Sequence, residues 1–254
     1  MSALAKRQKK YVSNSEVNMF RADPARWVLG YVMGIRGSTN KDMARGNAVE
    51  KSLEFALTEE FATVDEAVEL AIKEFNRETA LVVSQEDRDK EREDLDGFVR
   101  VGFEALSQYG VPTSTQNKLL FDYEGLPVPI MGFDDFQFEQ DGVKLSIDLK
   151  TTKKCPSAIT DNHKMQAAIY ATALPEHQIK FCYVTPKKFA IYDLSKEEAE
   201  ELMQDFVVAV QAMDNMLAMT DDGEQLAKLF APNYSSYYWK DPIVRAEAKR
   251  IFGV

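Results

Sequence analysis

Residues 132–154, GFDDFQFEQDGVKLSIDLKTTKK, set Asp134, Asp135, Asp148 and Lys150 among apolar residues that read as two short strands around an Asp-Gly turn. With Asp141-Gly142 as the two-residue turn that this dipeptide favours, the register follows by counting. Gln140 pairs with Val143, Gln137 with Ser146, and Asp135 with Asp148. Alternation then sends Val143, Leu145, Ile147 and Leu149 to one face, and Lys144, Ser146, Asp148 and Lys150 to the other. Asp134 is expected on the apolar side, opposite Leu149. Two carboxylates directly across a strand pair have Cβ atoms about 5 Å apart and repel by roughly 3 kcal/mol at an effective dielectric near 20. Protonation of one acid would offset this, as would Lys150. A hard divalent cation would do so best, because Mg²⁺, Mn²⁺ and Ca²⁺ take oxygen ligands. The bland alternatives are a D-x-K triplet arising by chance, roughly once in a chain of average composition, and an Asp-Asp pair serving the turn.

Two helices supply further candidates. In HKMQAAIYATAL, Gln166 and Tyr170 are four apart and share a face. Tyr170 suits a core, whereas an amide on an Ala- and Ile-rich helix needs a partner. In RGNAVEKSLEFAL, Glu50 and Glu54 lie one turn apart, on what is otherwise an ordinary solvated face.

The elements that position these residues follow from periodicity. VSNSEVNMFRADPARWVLGYVMG begins with N-cap candidates and is helical until Pro24 interrupts and the pattern resumes. Residues 37–46 read as a loop closed by Gly46, before an amphipathic helix from 47. Helices follow at 64–80 and 86–108. Residues 116–154 are short, alternating and broken by Gly and Pro, as in a β-meander. A helix at 161–174, a hairpin turning near Pro186, a long helix at about 195–219, an aromatic loop and a last helix complete the chain. The expected fold is α/β, a mixed sheet flanked by helices with a helical N-terminal part. A single domain spans 1–254: residues 1–110 mainly helical, 111–192 the sheet core, and 193–254 the C-terminal helices.

The bulk numbers set bounds. The chain has 254 residues, a net charge of -10, 45% hydrophobic residues and two cysteines, Cys155 and Cys182. That is enough apolar material for a real core. No apolar run reaches the length of a membrane span, and the basic N-terminus lacks a secretory apolar segment. Two cysteines build no disulfide framework, so a reducing, cytoplasmic setting is expected (the host cytoplasm for a phage-encoded chain). The charge disfavours a protein that coats nucleic acid, although local grip depends on patches such as Lys6, Arg7, Lys9 and Lys10, or Lys153, Lys154, Lys187 and Lys188. The acidic runs at 84–96 and 193–205 read as solvated faces. No phosphate-binding GxxxxGK[ST] loop occurs, so no ATP motor is expected.

Taken in order, SNSEVNMFRADPARW, RGNAVEKSLE, IMGFDDF, IDLKTT and QAAIYATAL resemble the successive motifs of the PD-(D/E)XK nuclease superfamily, with its restriction-endonuclease-like fold. The resemblance runs from about residue 11 to 192. It is nearest the RecB-like branch of phage exonucleases and CRISPR-adaptation nucleases. It implies catalytic roles for Glu50, Asp135, Asp148, Lys150, Gln166 and Tyr170. It also implies one or two Mg²⁺ or Mn²⁺ ions held by Glu50, Asp135, Asp148 and the Leu149 carbonyl. Glu50 stands where many members have His, which favours a second metal position. Iron–sulfur members carry Cys before the early Pro and near the end. This chain reads ADPARW and NYSSYYWKDP there, so no cluster is expected, and Tyr234, Tyr237, Tyr238 and Trp239 read as packing that joins the two ends; a base-stacking platform is the alternative.

The implied activity is a metal-dependent DNA exonuclease of phage or bacterial recombination, acting on single- or double-stranded ends. A phage recombination or single-strand annealing protein is the expected partner, and no membrane is involved. Some relatives close into rings around DNA; nothing in these residues requires an oligomer. The alternatives are an endonuclease of the same superfamily, an inactive DNA-binding or assembly subunit that keeps the fold, or an unrelated α+β protein with surface acids.

Overall fold

In the computed structural model, which describes residues 2–253, the chain forms two compact units. The first comprises residues 1–38, 119–132 and 200–254, and the second residues 39–118 and 133–199. The elements in order are α1 (Ala3–Lys6), β1 (Val12–Ser13), α2 (Asn14–Ala22), α3 (Pro24–Trp27), a π-helical turn (Val28–Val32), α4 (Lys41–Thr58), α5 (Val64–Thr79), α6 (Gln85–Ser107), β2 (Ser114–Phe121), β3 (Ile130–Gln140), β4 (Val143–Thr151), α7 (Asp161–Ala173), β5 (His177–Val184), β6 (Phe189–Asp193), α8 (Lys196–Leu217), α9 (Gly223–Lys228), a 3₁₀ turn (Tyr237–Trp239) and α10 (Pro242–Phe252).

Among the described residues, six strands make one mixed sheet in the order β1-β3-β4-β5-β6, with β2 also on β3. β3 and β4 are antiparallel, and β4 and β5 are parallel, with α7 as the crossover between them. This is the expected mixed sheet flanked by helices, a restriction-endonuclease-like arrangement. The β3–β4 turn is as counted: Asp141 and Gly142 have φ of 52° and 77°, the left-handed pair that Asp-Gly tolerates. The ladder runs from Gln140↔Val143 through Gln137↔Ser146 to Phe136↔Ile147.

In the second unit, α4, α5 and α6 lay Val49, Leu53, Phe75, Leu95 and Phe98 into one core with Phe136, Phe138, Leu145, Ile147 and Leu149. The apolar face of β4 is the expected one from Leu145 to Leu149, whereas Val143, beside the turn, is exposed. α5 begins with a capping box, Thr63 and Glu66 bonding each other's backbone.

Three expectations need correction. The helix expected from residue 47 begins at Lys41, because Asn40 Oδ1 accepts from the amides of Asp42 and Met43, both at 3.0 Å. A side-chain cap outweighs the single Gly46 inside the helix. The acidic run 84–96 is not wholly solvated. Glu91 is buried, paired with Arg45 at 2.8 Å and Lys153 at 3.1 Å. Asp134 does not join the apolar face. It is fully buried, with its Oδ1 accepting from Ser146 Oγ at 2.5 Å and Oδ2 from Gln137 Nε2 at 2.6 Å. Regular pairing stops at Phe136↔Ile147, and beyond it β3 departs from strict alternation, so Asp134 also reaches the polar side.

In the first unit, Asp23 caps α3 just ahead of Pro24, and its Oδ2 accepts from Trp239 Nε1. Trp239 is buried and packs edge-on to Tyr234, with ring centroids 5.2 Å apart. The chain's early and late segments meet in this aromatic joint. The Tyr237 side chain lies outside the described residues. Among the described residues no helix is long and apolar enough to cross a membrane.

Candidate active site

β3, β4, α4 and α7 bring the sequence candidates together within the second unit. Asp148 is 1% exposed and Asp135 8%. Asp135 Oδ2 accepts from the Leu149 amide at 2.9 Å. Asp148 Oδ1 accepts from Gln166 Nε2 at 2.9 Å. The same Gln166 nitrogen lies 2.6 Å from the Tyr170 hydroxyl, which donates to the Phe133 carbonyl. Gln166 and Tyr170 thus act as one bracket between α7 and the two aspartate-bearing strands, which their i, i+4 spacing permits. Asp148 Oδ2 is in ion-pair contact with Lys150 Nζ. It has no hydrogen-bond partner of regular geometry and keeps an unmatched lone pair in a buried place. Lys150 lies over the Phe181 ring, 5.6 Å from its centroid.

The electrostatics show one coupled group. Burial, then the charge of Asp148, pushes Glu50 up to about 7; Lys150 opposes this and Glu54 adds to it. Burial raises Asp135 well above the usual carboxylate range, with Asp148 and Glu50 adding to the effect. Asp148 is raised by burial despite Lys150. Burial alone would lower Lys150, but Asp148, Asp135 and Glu50 outweigh it and hold the ammonium form. Three carboxylates therefore face one ammonium; full ionisation would leave excess negative charge in a low-dielectric place, and the raised acids relieve it by holding protons.

That donor set fits a hard cation: oxygens only, mutually repelling, on acids that burial keeps from water. Among the described residues, no three His, Cys, Asp or Glu side chains already stand as a closed cage. The acids instead point to local partners: Glu50 accepts from Gln116 Nε2, Asp135 from Leu149, and Asp148 from Gln166.

Two further residues join this group, Asp134, expected on the apolar side, and His163, not singled out in the sequence. Asp134, pushed up to about 6 chiefly by burial, lies beside this group and feels the charge of Asp148. His163 sits one turn before Gln166, its Nδ1 2.8 Å from the Tyr183 hydroxyl. Burial, then the Lys150 charge, lowers it to about 4, so it is neutral. The i, i+3 spacing from His163 to Gln166 was a readable signal; the turning of Asp134 was not. Of the lysines expected to touch phosphate, Lys153 is engaged by Asp94 at 2.7 Å and by Glu91. Lys154, Lys187 and Lys188 are exposed.

Comparison with known proteins bears on the whole arrangement. None of the curated proteins matches the chain. Among solved structures, that of a protein designated SSO0001 is similar at 18% identity, covering 66% of this chain and 87% of that one, with a TM-score of 0.34. Residues 11–236 match the sequence profile of the PD-(D/E)XK nuclease superfamily, whose members are nucleases that generally use divalent metals. With nearly the whole length matched and the sheet in the expected form, the chain belongs to the PD-(D/E)XK nuclease superfamily.

Proposed function

We propose that this protein is a Mg²⁺- or Mn²⁺-dependent deoxyribonuclease of the RecB-like branch. It hydrolyses phosphodiester bonds from DNA ends in phage or bacterial recombination, alongside a single-strand annealing protein in the cytoplasm. The observation that carries this reading is the cluster of Glu50, Asp135 and Asp148 around Lys150, three raised carboxylates facing one persistent ammonium.

Glu50, Asp135, Asp148 and the Leu149 carbonyl would hold the cation. When bound, it supplies an activated water and neutralises charge at phosphorus. The protein's own groups do the rest. Lys150, charged and half-buried, stabilises the negative charge that develops on the phosphoryl oxygens. Gln166 holds Asp148 at one oxygen, and Lys150 meets the other. Tyr170 ties the Phe133 carbonyl to the same bracket, fixing the strand that carries Asp135. Lys154, Lys187 and Lys188 are the exposed cations offered to the DNA backbone.

The test uses end-labelled linear DNA, single- and double-stranded, beside a closed circle, with each metal. Linear DNA is expected to be degraded and the circle spared. Asp148→Asn and Lys150→Ala should each lower the rate by about 100-fold or more. Full activity in both folded variants would show that the site lies elsewhere. Cutting of the circle would identify an endonuclease, and DNA binding without turnover an assembly subunit.

A further inference from the structure

The basic patch near the N-terminus has no part in the site above. In the first unit Arg7 and Lys9 line a cavity of about 310 Å³, together with Glu16, Trp27, Tyr31 and Leu217. This is at the lower end of small-molecule sites, which run roughly 300–1,000 Å³. We propose that this cavity binds one nucleotide whose base carries an exocyclic amino group: the amino group donates to Glu16 Oε2 and the phosphate meets Arg7 and Lys9.

Glu16 is 1% exposed. Its Oε1 is taken by Lys9 at 2.9 Å and by Trp27 Nε1 at 3.3 Å, while Oε2 has no partner. A buried carboxylate oxygen without a donor is costly and selects a ligand that brings one. Arg7 is held by the Thr220 carbonyl, which its Nη2 reaches at 2.6 Å, and by the solvent-exposed Asp221 at 3.5 Å, a pairing a phosphate must displace, while its buried Nε is unpartnered. Lys9 and Arg36 lie 5.3 Å and 5.6 Å from the Tyr31 ring centroid, so cations gather at this wall. The cavity thus asks for a donor at one place, an anion at another, and a flat apolar body against the side chains between them. Cytosine, adenine and guanine nucleotides have all three. They are also the building units and products of what a nuclease superfamily member cuts. The inference does not depend on the metal site, because every residue in it belongs to the first unit.

The test is calorimetric titration of the full chain in EDTA, which silences metal-dependent hydrolysis. dCMP is expected to bind at least tenfold more tightly than TMP, whose O4 replaces the amino donor with an acceptor. Arg7→Met should weaken both by tenfold or more and leave their ratio unchanged. Glu16→Gln should abolish the preference for dCMP, because the amide can offer a donor to O4; thermal melts verify that each variant is folded. A 5′-phosphorylated oligo-dC that competes with dCMP would identify the occupant as a strand's nucleotide, and one that does not, as the free mononucleotide. No binding of either mononucleotide at millimolar concentration overturns the proposal. So do equal affinities for dCMP and TMP, or binding indifferent to Arg7→Met.

Discussion

Burial and the Asp148 charge push Glu50 up to about 7, while Lys150 pulls it back. The group is neutral in both states below its unfolded value of 4.5, so its folded-state contribution is intact there. As pH rises through 7, the native protein must carry a buried charge that the unfolded chain carries freely, and stability is lost. A displacement from 4.5 to about 7 is worth about 3 kcal/mol at roughly 1.4 kcal/mol per tenfold. Glu50→Gln lacks this penalty. In EDTA it should match the natural protein at pH 4.5 and exceed it by up to about 3 kcal/mol at pH 8, read by urea denaturation. Adding Mn²⁺ at pH 8 should stabilise the natural protein more than the variant. A gap that stays flat across this range would mean Glu50 is not in the repelling group. At this scale the sequence was informative where spacing dictates geometry: Asp148 and Lys150 two apart on a strand, Gln166 and Tyr170 four apart on a helix. Asp134 was misjudged because alternation holds only while the ladder is regular, and no residue type announces where it stops.

The β3–β4 hairpin was legible as an element because Asp-Gly fixes the turn and the register as far as Phe136↔Ile147; the expected pairing of Asp135 with Asp148 lies beyond that ladder. α4 was misread at its start because one Asn cap decides where a helix begins, while Gly46 is merely tolerated within it. Packing between elements was not legible at all, and Gly97 in α6 is the clearest case. A Cβ there would stand 2.5 Å from the Pro186 carbonyl oxygen and 2.9 Å from its Cα. Pro186 lies in the β5–β6 turn, where Thr185 Oγ1 accepts from the Lys188 amide at 3.1 Å and leaves the backbone little freedom. Gly97→Ala would gain about 1 kcal/mol of helix propensity. Overpacking against a pinned backbone costs about 1–3 kcal/mol, and a 2.5 Å contact belongs at the upper end. The variant is therefore expected to lose about 1–2 kcal/mol in chemical denaturation, the reverse of the propensity expectation. A stabilised variant would show that the β5–β6 turn yields more readily than its hydrogen bonds imply.

At the scale of the whole molecule, a net charge of -10 meets a polyanionic substrate. Total charge was read directly from composition, but the number of cations left free could not be, because pairing depends on which residues meet. Lys153 is neutralised by Asp94 and Glu91, whereas Lys154, Lys187 and Lys188 stay exposed. These three come from adjoining loops, since the Cys155 thiol reaches the Lys188 carbonyl at 3.8 Å. Three phosphate contacts release about three counterions, so log K for duplex DNA should fall with log salt at a slope of about −3, far shallower than the −10 of a strongly basic binder. Beyond contact range the protein repels DNA. Near 10 mM salt that repulsion extends roughly 30 Å, and near 100 mM only about 10 Å. Association should therefore be no faster at 10 mM than at 100 mM salt, opposite to electrostatically steered binders. Stopped-flow mixing of Asp148→Asn protein with labelled duplex in EDTA measures both quantities. A slope of −8 or steeper, with association accelerating as salt is removed, would mean that far more cations face the DNA than these three lysines. The grip would then have to be sought on a different surface of the chain.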